Sequence, residues 1–410
     1  MLSVKEAESK ILNLVRPLDP EKDTETVNLE EARGRILAVD VTSSLDFPYW
    51  DNSAMDGYAV KHADVSVCNR ENPVTLEIVE EIPAGYQPQI ELRNGQAARI
   101  FTGAMLPVGA DTIVIQENTQ KEGNRVAILT SPNYGEFVRH KASFYQAGNA
   151  LLTRGIALTE ADIAILATAQ CTQLWVYRRP KVAIFSTGDE LIAPNQELKM
   201  GKIVDSNQYA LAAFAANSGG IAITMGIIPD RLDLLKEAIL SAIGRADLVL
   251  STGGVSVGDY DYVEQLLAEL GGDIHIKSVA VKPGKPLTVA TFPSGCLYFG
   301  IPGNPVSALV SCWRFVKPAL RKLSGLADNW QPQFIKAKSM DNLRSDGKRE
   351  TYLWGRLLLR DGGYEFALAG GSHSSGNLIN LAQTNGLAVI PVGKTLVSEG
   401  ELVEVMSLSC

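Results

Sequence analysis

The chain has 410 residues, 46% of them hydrophobic and 20% charged, which is more material than one hydrophobic core usually organises. A net charge of −8 disfavours general binding to nucleic acid or an anionic membrane, and five cysteines without C-x-x-C spacing suggest neither a disulfide framework nor a thiolate zinc site. The N-terminus lacks the uninterrupted apolar core of a signal peptide and no stretch is long enough to span a bilayer, so a cytoplasmic protein is expected.

Apolar positions Val4, Ala7, Ile11, Leu14 and Val15, with Ser3 and Glu6 as a capping box, predict an opening amphipathic helix over residues 3–15. Asn28 and Glu31 suggest a cap for a second helix through NLEEARGRILA, weakened by Gly34. From about 40 to 140, short alternating runs separated by Gly, Pro and Asn predict a β-rich domain. Helical spacing returns in TEADIAILATA, capped by Thr159 and Asp162; this helix is expected to rejoin the first two, which makes the β domain an insertion.

Between 181 and 325, apolar strands alternate with amphipathic helices, the pattern of a doubly wound, mostly parallel sheet whose ligands bind beyond the carboxyl ends of the strands. From 331 onward the pattern is strand-like again and predicts a small barrel or sandwich. The fold class is multi-domain α/β: an elongated helical domain (1–44 and 140–178), an inserted β domain (45–139), an α/β domain (179–326) and a C-terminal β-barrel-like domain (327–410).

Three strands of the α/β domain run into loops of small residues: Ser186-Thr187-Gly188-Asp189-Glu190, Ser251-Thr252-Gly253-Gly254-Val255-Ser256-Val257-Gly258-Asp259, and Pro302-Gly303-Asn304-Pro305-Val306-Ser307. Such loops let backbone N–H groups and a helix N-terminus meet an anion; one alone reads as a tight turn, but three on one rim favour a site. Lys282-Pro283-Gly284-Lys285-Pro286 holds two ammonium groups on a stiff loop, which in an acidic chain favours oxyanion binding over a solvated turn. Asp189, Glu190, Asp230 and Asp259 fall at expected strand ends, where bound Mg²⁺ would let acids coexist with phosphates; helix capping is the rival for Asp230 and Asp259. The stretch from Phe47 to Tyr58 is equally consistent with an aromatic anchor and turn or with Asp56 presented at an interface, and Thr102 to Pro107 reads as turn chemistry. His62, His140, His275 and His373 lack H-x-x-x-H spacing and read as surface or capping residues.

DNSAMDGYAV, FTGAMLPVGADTIVIQE, STGDEL, DSN at 205–207, GIIPD, STGGVSVGDYD, KPGKP and GIPGNPVSAL occur in an order that resembles the molybdopterin molybdenumtransferase family and the related E-domain of gephyrin. The resemblance implies a homodimer with clefts shared across chains. It also implies a Mg²⁺-dependent enzyme that inserts molybdate into adenylylated molybdopterin, releasing AMP and molybdenum cofactor. A molybdopterin adenylyltransferase would supply the substrate and molybdoenzyme apo-proteins would receive the product. Carried over residue by residue, Asp56, Glu190, Asp230 and Asp259 are the catalytic candidates, and Asp189, Glu190 and Asp259 would hold the metal. Thr102, Ser186, Thr187, Gly188, Gly253, Gly254 and Ser256 would bind the pterin nucleotide, with Lys282, Lys285, Pro286, Ser307, Arg349 and Ser374 or Ser375 around molybdate. Where family members carry Arg-x-x-Gly-Glu-Asp, this chain has Arg139-His140-Lys141-Ala142-Ser143-Phe144, without either carboxylate. A nucleotide pyrophosphatase and a non-catalytic cofactor carrier or scaffold are the alternative functions.

Overall fold

The computed structural model describes residues 1–253 and 260–408. The chain divides into two compact units, one of residues 1–39, 154–163 and 172–410, the other of residues 40–153 and 164–171.

The first unit opens with helix Val4–Leu14, where the Ser3 side chain accepts from Glu6 N and the Glu6 carboxylate accepts from Ser3 N. The second expected helix does not form. Only a 3-10 turn, Leu29–Glu31, follows Asn28, whose side chain makes no cap. Gly34 then adopts φ +74°, and the chain pairs in extended form, Leu37 N donating to Ile156 O and Ala38 N to Trp175 O. Non-local backbone pairing therefore overrides a modest helical propensity. Helix Glu160–Thr168 forms, with Thr159 N and Oγ1 both donating to Asp162.

At the centre of this unit lies a six-stranded sheet with spatial order Ile221–Ile228, Lys181–Thr187, Leu248–Thr252, Leu297–Ile301, Pro286–Thr291, Asp273–Ser278. The first four run parallel, and Pro286–Thr291 is antiparallel to both its neighbours. Alternate residues enter different cores. Val182 and Ile184 join Leu211, Val306 and Phe315 on one face, while Ala183 and Phe185 join Leu235, Ile239 and Leu267 on the other. Burial of both faces explains why these strands read as continuous apolar runs; each fully buried aliphatic or Phe side chain contributes about 1.5–3 kcal/mol. Helices Asn207–Asn217, Leu232–Ile243 and Tyr260–Glu269 alternate with these strands as the pattern predicts, and a π segment at Cys312–Val316 joins helices Pro305–Ser311 and Lys317–Leu323.

Beyond 330 the five strands Phe334–Ser339, Glu350–Arg360, Gly363–Leu368, Gly386–Ile390 and Leu402–Ser407 close into a barrel, because Glu350–Arg360 pairs with both Gly363–Leu368 and Gly386–Ile390. Arg314 is the buried polar tie of this unit: its guanidinium forks onto Glu8 at 2.7 and 3.0 Å and its Nε donates to Tyr352 Oη at 2.9 Å. The second unit is built on a six-stranded sheet around Gly57–Val60, Val74–Ile82 and Gln96–Ile100. Among the described residues no helix is long and apolar enough to cross a membrane.

Candidate functional site

The loops at the carboxyl ends of the central strands converge because glycine is required where they meet. Gly253 has φ +87°, and a Cβ there would lie 2.1 Å from Thr187 O; a Cβ on Gly303 would lie 3.4 Å from Gly253 Cα. Gly188, at φ +148°, leaves room for the Glu190 carboxylate, whose Oε2 would be 2.6 Å from a Cβ at that position. Asp189 and Asp230 exchange backbone contacts, with Asp230 N donating to Asp189 Oδ1 at 3.2 Å and Asp189 N to Asp230 Oδ2 at 3.4 Å. The helix that follows is capped at Arg231 without a side-chain bond, so Asp230 is not its capping group.

Asp189, Asp230 and Glu190 thus share one rim, whereas the expected Gly254, Ser256 and Asp259 lie outside the described residues. Among the described residues no three His, Cys, Asp or Glu side chains gather into a protein-only metal cage. The oxygen donors of Asp189 and Glu190 do fit Mg²⁺ in its usual form, held by one or two carboxylates with water and substrate phosphate completing the shell.

Behind this rim lies a buried polar chain. Ser186 Oγ donates to Asp205 Oδ1 at 3.0 Å, Thr252 Oγ1 to Ser186 Oγ at 3.3 Å, and Asn207 Nδ2 to Gly303 O at 2.7 Å and Thr252 Oγ1 at 3.3 Å. Gln208 N also donates to Asp205. Ser186, expected at the ligand, is instead fully buried, and it supports the rim from behind. Asp205 and Asn207, which belong to the DSN triplet but not to the expected site residues, tie the three loops together.

The lysine loop forms a second part of the site. Lys282, Lys285, Pro286, Ser307, Arg349, Ser374 and Ser375 all line one solvent-open cleft of about 870 Å³, together with Asn304, Tyr352, Trp354 and His373. Among the described residues no Asp or Glu lines it. The arrangement is well fixed. Lys282 Nζ donates to Asp346 Oδ2 at 3.0 Å, Arg349 Nη1 to Val281 O at 3.2 Å, and Asn304 Nδ2 to Ser375 Oγ at 3.2 Å. Lys285 is exposed, and its ammonium has no partner among the described residues. Lysines, a guanidinium and hydroxyls around one concavity suit a small oxyanion through charge-assisted hydrogen bonds. His373, expected at the surface or as a cap, packs against Trp354 with ring centroids 4.4 Å apart and planes tilted by 41°, and it lines the cleft.

Among the described residues four buried side-chain polar atoms lack a partner: Asn52 Oδ1, Thr187 Oγ1, Ser311 Oγ and His373 Nδ1. Thr187 sits at the rim and His373 at the lysine cleft, while Ser311 Oγ lies beneath Gly284, 2.8 Å from where its Cβ would be. Unsatisfied buried groups are rare, so three of the four at these loops point to a functional region; Asn52 lies in the second unit.

In the second unit, Thr102 N and Oγ1 each donate to Asp56 Oδ1 at 2.7 Å. The backbone bond from Thr102, then its hydroxyl, hold the Asp56 carboxyl below its usual range. The divergent turn reaches a left-handed conformation without glycine: Ala142 adopts φ +63°, its N donating to Pro48 O at 3.1 Å. Asp51 supplies the local carboxylate, accepting from Lys141 N at 2.7 Å and lying 3.2 Å from His140 Nδ1.

The sequence matches the MoeA N-terminal region (domain I and II) over residues 2–169, a probable molybdopterin binding domain over 183–322, and the MoeA C-terminal region (domain IV) over 336–408. It is 61% identical to a molybdopterin molybdenumtransferase of Nostoc sp., covering 100% of this chain and 94% of that protein. A Staphylococcus epidermidis protein of the same name is 33% identical, with 99% and 95% covered. The structure of a molybdopterin biosynthesis moeA protein from Pyrococcus horikoshii OT3 superposes with a TM-score of 0.85 at 29% identity, covering 99% of this chain and 100% of that one.

Proposed function

The chain belongs to the molybdopterin molybdenumtransferase family, and from that premise we propose that it inserts molybdate into adenylylated molybdopterin, releasing AMP and molybdenum cofactor. The observation that carries this reading is the cleft in which Lys282, Lys285, Arg349 and the Ser307, Ser374 and Ser375 hydroxyls line a common space with no acid among its described lining residues. Lys285, whose ammonium has no partner among the described residues, is assigned the main charge-assisted contact to molybdate. Asn304 and the Asn207 network hold the loops on which the neighbouring contacts sit.

Thr187, Gly188 and Gly253 are assigned to the nucleotide end, where the close approach of Gly253 to Thr187 keeps backbone accessible to phosphate. Asp189 and Glu190, with Asp259, are assigned to Mg²⁺, which when bound would offset the charge on the phosphoanhydride oxygens. The chain's own work is positioning: it brings an oxyanion and a pterin nucleotide to adjacent subsites on one set of loops. The four-domain division, the cytoplasmic homodimer, supply of substrate by a molybdopterin adenylyltransferase and delivery to molybdoenzyme apo-proteins belong to the same proposal. Pyrophosphatase and carrier readings are not favoured by relatives that carry the transferase name across the whole chain.

The test is Glu190→Gln, which keeps the side-chain shape and removes its charge. AMP release at saturating Mg²⁺ is expected to be abolished with the fold intact; near-normal release would make Glu190 a structural residue and overturn its assignment.

A further inference from the structure

The strand that delivers Asp230 to the rim carries a bulge. Ile184 pairs with Thr224 and Ser186 with Ile227, so Met225 and Gly226 together stand opposite the single residue Phe185. Gly226 adopts φ +88° with open space where its Cβ would be, so glycine is needed there for backbone conformation and not for room. Past the bulge the pairing runs one residue later, which sets Ile228 against Thr187. Asp230 then falls level with Asp189, and the two exchange their reciprocal N–H to carboxylate contacts. In the straight register Thr187 would face Ile227, and Pro229 would come level with Asp189 instead.

A side chain of helix Asn207–Asn217 holds this bulge. Gly226 N donates to Gln208 Oε1 at 2.8 Å, and Gln208 Nε2 donates to Asp205 Oδ2 at 3.4 Å. Asp205 is itself fixed, accepting from Gln208 N at 3.2 Å and from Ser186 Oγ at 3.0 Å. Both Asp205 and Gln208 are buried. The position calls for an amide, which accepts from a backbone N–H at one atom and donates to a carboxylate at the other; an ionised Glu cannot donate and a Lys cannot accept.

We propose that Gln208 is a positioning residue for the reaction: it fixes the bulge at Gly226, and the bulge sets the register that brings Asp230 to Asp189. The inference rests on that rim being where Mg²⁺ is held. Gln208 acts only through Gly226, from behind the rim. Asp205, Gln208 and Gly226 do not line the lysine cleft, so the effect is confined to the metal end of the site and leaves molybdate binding alone.

The experiment compares the full wild-type chain with Gln208→Met, which keeps length and burial and removes both hydrogen bonds. Gly226→Ala is the second variant; its methyl enters open space and strains the bulge without a clash. Two properties are read: the Mg²⁺ concentration that gives half-maximal AMP release from adenylylated molybdopterin, and amide hydrogen exchange of the protein alone. Gln208→Met is expected to raise that Mg²⁺ concentration by roughly fivefold, the worth of one buried hydrogen bond. Faster exchange should be confined to residues 224–231, with molybdate affinity unchanged, and Gly226→Ala should move both properties the same way. An unchanged Mg²⁺ requirement in either folded variant overturns the proposal. An equal loss of molybdate affinity, or exchange that quickens throughout the sheet, also overturns it, since both mark general loosening. If Gln208→Met does not fold, Gly226→Ala decides. Asp189→Asn separates the two possible failures: if it too leaves the Mg²⁺ requirement unchanged, the metal reading of the rim falls and the proposal with it. If Asp189→Asn raises the requirement and Gln208→Met does not, only the positioning role falls.

Discussion

Lys282, which lines the lysine cleft, and Asp346 are joined by a 3.0 Å ion pair, whereas Lys285, three residues on, has no acidic partner among the described residues. The two ammonium groups are therefore unequal. Lys282 holds the Asp346 carboxyl below its usual range, first through their hydrogen bond, and in return loses part of its field to that carboxylate. Asp346→Asn is expected to tighten molybdate binding by releasing Lys282. Unchanged or weaker binding in a molybdate titration would show that the pair serves only to position the lysine.

Lys285→Ala is expected to weaken molybdate binding by about 1.5–3 kcal/mol, roughly tenfold or more, through loss of one charge-assisted contact. Binding of the pterin nucleotide should change much less. An unaltered apparent molybdate affinity would remove Lys285 from the site.

Gly253→Ala is expected to damage nucleotide binding more than the fold, because the new methyl would meet Thr187 O at 2.1 Å in a backbone conformation at φ +87°. The loop must move away from the rim. Wild-type nucleotide affinity in a folded variant would show that the close approach is dispensable.

Ala142→Gly tests a departure from the family pattern. Ala142 sits at φ +63°, a left-handed conformation that costs an L-residue about 1–2 kcal/mol, so glycine there should stabilise the protein by roughly 1 kcal/mol. Urea denaturation checks this; destabilisation would mean that the Ala142 methyl packs favourably enough to outweigh the strain.

How much of this was legible in sequence depended on whether the cause was local. The Ser3–Glu6 and Thr159–Asp162 caps, the apolar strands buried on both faces, and the lysine and glycine loops rest on short-range spacing, and they were readable. Residues 28–38 were misread as helix because their partners, Ile156 and Trp175, are remote in sequence. Asp205 and His373 were missed for the same reason. A DSN triplet does not announce a hydrogen bond to Ser186, and a histidine in a Gly/Ser loop does not announce a tryptophan nineteen positions earlier.

Asp247 gives the pH dependence of stability. Burial raises its carboxyl, but the Arg178 fork at 2.7 and 2.8 Å and the Lys181 N–H outweigh that and hold it below the usual carboxylate range. A depressed carboxylate contributes stability above its unfolded value of about 3.9 and loses it as pH falls through the folded value. Asp247→Asn should therefore cost about 2–3 kcal/mol near neutrality, with the gap to wild type closing in acid. A pH-independent difference in unfolding free energy would assign the loss to packing.

The most direct measurement is a single-turnover reaction of the chain with adenylylated molybdopterin and Mg²⁺, with and without molybdate, following AMP and molybdenum cofactor together. The account predicts cofactor formation that requires molybdate, with AMP appearing in step with it. AMP released without any cofactor formed, or pterin bound with neither product, would contradict the account.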